Sequence, residues 1–157
     1  MGRRVAVLAT AALAVLSALD TASVAISATS RHALAARYLA IAQAGNRHLE
    51  RDFDSLAGRD RGNLAGARAD LRDAAATERL FDRRLRAISF PPAIEHVAAV
   101  LYRVNQLRAR LTYAASFATT LAFLRSYEPD LNAANAPVED AVRTLRRELG
   151  LPPPKSS

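Results

Sequence analysis

The sequence predicts an all-α protein, an antiparallel up-down-up-down bundle of three long helices plus a short fourth, preceded by an N-terminal signal or anchor segment. Three observations carry that expectation. Apolar and small residues recur at spacings of three and four through most of residues 30–149, which keeps one helical face apolar. No window alternates with period two, as a half-buried strand would. Proline and glycine break the pattern at short intervals, and connections of that length favour antiparallel neighbours. The chain divides into 1–28, a signal peptide or uncleaved membrane anchor; 29–150, the bundle; and 151–157, an extended proline-rich tail.

Arg3 and Arg4 followed by an uncharged run from Val5 to Leu19 have the form of an export signal. Ser23-Val24-Ala25 offers small residues for a peptidase, with Ala28 as a second choice. The alternative is retention as an anchor, which requires roughly 17 to 25 apolar residues. Residues 5–28 reach that length only by including Asp20, which costs about 2.5–3.5 kcal/mol at a bilayer centre and less near an end. Cleavage is therefore the expectation. Either outcome places residues 30–157 beyond the cytoplasmic membrane, because the two arginines precede the apolar run.

The first helix is expected over 30–57, with Leu34, Tyr38, Ile41, Gly45, Leu49, Phe53 and Leu56 on one face. Gly58 and Gly62 bracket a charged turn. The second, 63–88, carries Leu64, Ala67, Leu71, Ala74, Phe81, Leu85 and Ile88, and becomes a regular coiled-coil-like stripe if Glu78 is counted in the seam. Pro91 and Pro92 end it and open the third helix, since proline suits a first helical turn and disfavours helix in the residue before it. That third helix is predicted to run over 93–127, with Val97, Val100, Val104, Leu107 and Leu111 inward. Glu128-Pro129 stops it, Asn132 to Asn135 forms a polar loop, and a fourth helix spans 137–149 before Gly150.

Composition excludes several kinds of chemistry. Cysteine is absent, so there is no disulfide, thiol nucleophile or thiolate metal site, and no lipidated cysteine. The net charge is +7, yet 21 of the 22 cations are arginine and 35 residues are alanine, a pairing that biased codon usage yields by itself. No helix interleaves a basic run with stacking aromatics, so nucleic acid is not expected as a partner. His32, His48 and His96 never share the three- or four-residue spacing of helical metal ligands. There is no Gly-x-Ser-x-Gly elbow and no glycine-rich phosphate loop. Neither an enzyme nor a cofactor is predicted.

The stretches Tyr38-Leu39-Ala40-Ile41, Phe81 to Pro92 and Arg146 to Pro154 together resemble small exported helical proteins of high-GC actinobacteria, a likeness that covers roughly residues 35–154. Many such proteins are lipoproteins or secreted proteins of unassigned function. The resemblance implies an envelope location and a helical fold, and it carries no catalytic residue across.

Two candidate sites remain. Glu78 sits in a seam, where an unpaired carboxylate costs several kcal/mol, and helix heights place it level with Tyr102 and Arg103 and within reach of Asn105. A buried polar layer of Glu78, Arg103 and Asn105 that fixes helix register is the expected outcome. The short fourth helix should also leave one end with three helices only, where Tyr38, Phe81, Leu85, Ile94, Val97 and Leu101 form either a packed core or an apolar groove. The functional expectation is a non-enzymatic envelope scaffold whose partner is an unknown envelope protein, with membrane association through residues 5–28. The alternative is a carrier for an apolar small molecule or lipid.

Overall fold

A computed structural model describes residues 27–154, all helix and connecting turns with no strand among them. The predicted export segment, 1–28, lies outside the described residues except for Ser27 and Ala28, and the last three residues of the tail lie outside them too. Four long helices, α1 (Ala28–Ala57), α2 (Leu64–Arg86), α3 (Pro92–Ala115) and α5 (Glu128–Glu148), are joined by turns and by one five-residue helix, α4 (Leu121–Arg125). None of the described helices is long and apolar enough to cross a membrane.

Local chemistry sets the boundaries. The Ser27 hydroxyl accepts from the Ser30 amide and the Asn63 side chain accepts from Gly66, so α1 and α2 each start on a side-chain cap. Pro92 opens α3 after extended Pro91. α5 closes in a Schellman turn, where Gly150 takes φ +71° and the Leu151 and Gly150 amides donate to the carbonyls of Arg146 and Arg147 at 2.8 and 3.0 Å.

α2 and α3 run antiparallel, because Arg68 meets Ser116 while Arg86, about five turns later, meets Tyr102. Packing is close between α1 and α2, α2 and α3, and α3 and α5. One buried cluster joins Tyr38, Leu85, Ile94, Val97, Leu101, Val138, Leu145 and Leu149 across four helices. With Leu145 and Leu149 beside Ile94 and Leu101, α5 runs antiparallel to α3.

Two expected boundaries are corrected. α3 stops at Ala115 instead of 127. The Ser116 hydroxyl donates to the Tyr113 carbonyl at 2.7 Å, and Arg68 Nε of α2 donates to the Ser116 carbonyl at 2.9 Å, so the helix end is satisfied from outside the helix. Thr120 then caps α4 by accepting from Phe123. The second correction is that α5 already starts at Glu128, turning the expected polar loop 132–135 into helix. Pro129 suits its first turn, Glu128 and Asp130 favour its positive end, and Ala133, Ala134 and Ala136 are strong helix formers. Pro137 is carried inside this helix.

The expected three-helix end is absent too. Val138, Ala141, Leu145 and Leu149 share a buried cluster with Ile94, Val97 and Leu101, so the 137–149 stretch covers the N-terminal half of α3 instead of the C-terminal half, and residues 128–136 extend α5 towards the other end. The buried face of α3 also differs from the expected one. It runs through Ile94, Ala98, Leu101, Asn105, Thr112 and Ala115, leaving Val100 and Leu107 on the surface.

Candidate functional site: the cleft between α1 and α5

Glu78 is 1% exposed in the middle of α2, and Arg108 Nε of α3 lies 2.7 Å from its Oε1. The contact is ionic, since neither carboxylate oxygen nor Arg108 Nε has an aligned hydrogen-bond partner. One turn along α2, Asp82 is also buried, and its Oδ1 accepts from Asn105 Nδ2 at 2.8 Å. The same Asn105 amide donates to the Glu78 carbonyl at 3.3 Å, and Asn105 Oδ1 accepts from Arg108 Nη2 at 3.1 Å. Asn105 thus links Asp82 to the guanidinium that Glu78 contacts directly. Burial pushes the Glu78 carboxyl above its ordinary range against the opposing charge of Arg108. Burial likewise raises Asp82 to about 6, with the Asn105 hydrogen bond and Arg108 opposing.

This layer borders a cavity of about 460 Å³ that lies between α1 and α5, which are not among the closely packed pairs. Tyr38, Ala42 and Leu49 of α1, Phe81 of α2, Leu101 of α3, and Val138 and Val142 of α5 supply apolar wall. The space exists because α1 presents small residues there. A Cβ placed on Gly45 would meet nothing within 4 Å. Glu78, Asn105 and Arg108 border the cavity from α2 and α3, and Asn46, Thr77, Glu139, Arg143 and Arg146 add polar lining elsewhere. On the rim, Arg146 Nε donates to the Pro152 carbonyl at 2.7 Å, which turns the tail back so that Pro153 and Pro154 border the opening. Burial lifts the Tyr38 hydroxyl to about 12, with the charge of Arg146 opposing.

Comparison with known proteins found no matching family model, no similar curated protein and no similar solved structure.

The structure divides the predicted groove residues. Tyr38, Phe81 and Leu101 border the cavity, whereas Leu85, Ile94 and Val97 are packed in the buried cluster. In the polar layer Asn105 reaches the Glu78 backbone carbonyl but not its carboxylate, and pairs instead with the side chain of Asp82. Arg103 does not join them; it is exposed on α3, and the guanidinium that reaches Glu78 belongs to Arg108, about one and a half turns further on. Sequence reasoning also missed Asp82. A signal existed, because Asp82 follows Glu78 by four and Arg108 follows Asn105 by three, which puts each pair on one helical face.

Proposed function

We propose that this chain is a non-enzymatic binding protein that holds a small, mostly apolar molecule with one polar group in the α1–α5 cleft. The observation that carries this reading is the union of an apolar wall with the buried Glu78–Arg108 pair and Asn105 in one cavity. A few fixed polar groups beside apolar wall give a small-molecule site its orientation and specificity. The volume lies within the usual range for small-molecule sites, about 300–1,000 Å³. Arg3, Arg4 and the uncharged run 5–19 support export, so the proposed working place is outside the cytoplasmic membrane.

Fluorescence titration with N-phenyl-1-naphthylamine, an apolar probe bearing one N–H donor, tests the reading. Saturable binding in the micromolar range is expected. Gly45→Phe from one wall and Val142→Phe from the other should each abolish it while the melting temperature stays near that of the parent. Absence of saturable binding, or equal binding by both variants, would return the bundle to the scaffold reading.

A further inference from the structure

A second hollow, of about 570 Å³, lies on the other side of the α2–α3 interface and has different chemistry. Arg79, Arg83 and Arg86 of α2, at spacings of four and three, face Arg110 of α3 across it. None of these four guanidiniums has a carboxylate oxygen within 4.0 Å among the described residues. Elsewhere several surface arginines do, as Arg143 does with Glu139 and Arg147 with Glu148. The acid inside the hollow, Asp82, accepts from Asn105 through Oδ1, while its Oδ2 is buried without a hydrogen-bond partner.

Two of the arginines are held in place. Arg79 Cζ stands 4.2 Å from the centre of the Tyr113 ring, and Arg86 Cζ 5.0 Å from that of Tyr102. Arg86 also donates to the Tyr102 hydroxyl at 3.3 Å, and Gln106 fixes the same hydroxyl at 2.6 Å. Stacking orders a guanidinium and leaves its N–H edge free for planar, bidentate contacts. Four cations converging on one concavity repel each other until an anion enters. A carboxylate offers two oxygens and one charge, enough for a single fork, whereas a phosphate monoester or diphosphate offers at least three oxygens and about two charges.

We propose that the hollow bounded by Arg79, Arg83, Arg86 and Arg110 binds a terminal phosphate or diphosphate group, carried by either a soluble compound or a lipid headgroup. Calorimetry of the full chain with inorganic pyrophosphate tests the site. One saturable site is expected, weakened at least about tenfold by Arg83→Ala/Arg86→Ala. Arg84→Ala/Arg103→Ala removes the same charge from exposed positions outside the hollow and should change affinity less than about threefold, which separates a site from general attraction to a basic protein. Arg83→Lys/Arg86→Lys keeps charge and loses the forks, so it should fall between the two.

Vesicles decide the source. Binding to phosphatidic acid vesicles in preference to phosphatidylglycerol vesicles of equal charge, competed by pyrophosphate, assigns the group to a lipid headgroup. Equal retention on both, beside tight pyrophosphate binding, assigns it to a soluble phosphate. Residues 5–28 meet the same hydrocarbon in either vesicle. Failure of pyrophosphate to saturate, or equal weakening by the two alanine pairs, would overturn the proposal.

Discussion

Arg108 Nε lies 2.7 Å from Glu78 Oε1, and the two side chains are 20% and 0% exposed. Such a pair is costly to break and cheap to replace, because desolvation has already offset most of the attraction. Arg108→Met should destabilise the fold by about 3–5 kcal/mol at pH 7, since it leaves a buried carboxylate with no counter-charge. The loss should shrink in acid, where Glu78 takes up a proton. Glu78→Gln should cost less, about 1–2 kcal/mol, because the charge it leaves unpaired is that of Arg108, whose side chain keeps 20% of its exposure to water. Urea denaturation of the three proteins at two pH values measures both expectations, and an Arg108→Met loss below about 1 kcal/mol would show that the pair is not desolvated.

Asp82 gives the fold a pH dependence opposite to that of a salt-bridged acid. Its folded value of about 6 exceeds the ordinary one of 3.8, so between those values the folded chain holds a proton that the unfolded chain has released. Stability from this residue is therefore present at low pH and lost as pH rises through that window. The loss should be about 1–3 kcal/mol. Asp82→Asn keeps an oxygen for Asn105 and removes the titration, so its unfolding free energy should be flatter than the parent's from pH 4 to 7 and higher at pH 7.

Two glycines predict opposite responses to one methyl group. At Gly45 nothing stands within 4 Å of the new Cβ, and Gly45→Ala should add about 0.5–1 kcal/mol through helix propensity. At Gly66 the Cβ would lie 2.0 Å from Asp60 Oδ1 and 2.8 Å from Asn63 Nδ2. Those atoms bond each other at 3.0 Å, and Asn63 caps α2. Gly66→Ala should thus cost about 1 kcal/mol despite the better helix former. Thermal melts with equal shifts for the two variants would contradict this.

Pro137 sits inside α5 without an amide hydrogen, so the Ala133 carbonyl lacks its helical donor. Replacing it with alanine should stabilise the protein by about 1–3 kcal/mol, the lower figure applying if the helix has relaxed around the ring. Amide exchange in residues 134–141 should slow in parallel.

Most of the α2 stripe was legible, because Ala67, Leu71, Ala74, Glu78, Leu85 and Ile88 keep the helical spacing and are buried, while Leu64 and Phe81 are half-buried and Asp82 was missed. The face of α3 was misread for a physical reason. Its seam includes Asn105 and Thr112, whose polar groups are satisfied by Asp82, Arg108 and the Arg108 carbonyl, while the more apolar Val100 and Leu107 point outward. Hydropathy cannot register a partner on another helix. The end of α3 was hidden for the same reason, as it depends on Arg68, 48 residues away. Tyr38, Phe81 and Leu101 were found as groove residues through helix heights, but Val138 and Val142 line the same cavity because the 137–149 stretch packs over the N-terminal half of α3, a register that hydropathy along one helix does not carry.

Each closely packed pair of long helices in this bundle is also a pair of neighbours along the chain, and the loosest seam lies between the first long helix and the last. Contacts between chain neighbours need only short loop closures, so the sequence separation of native contacts is small and folding should be fast, on the microsecond-to-millisecond scale of helical bundles. The contact with the largest entropic cost, α1 against α5, is the one left partly unmade. The cleft should therefore open by a local parting of α1 from α5, a motion far smaller than global unfolding. Protection from amide exchange should fall along α1 before it falls along α3, and an occupant of the cleft should raise α1 selectively.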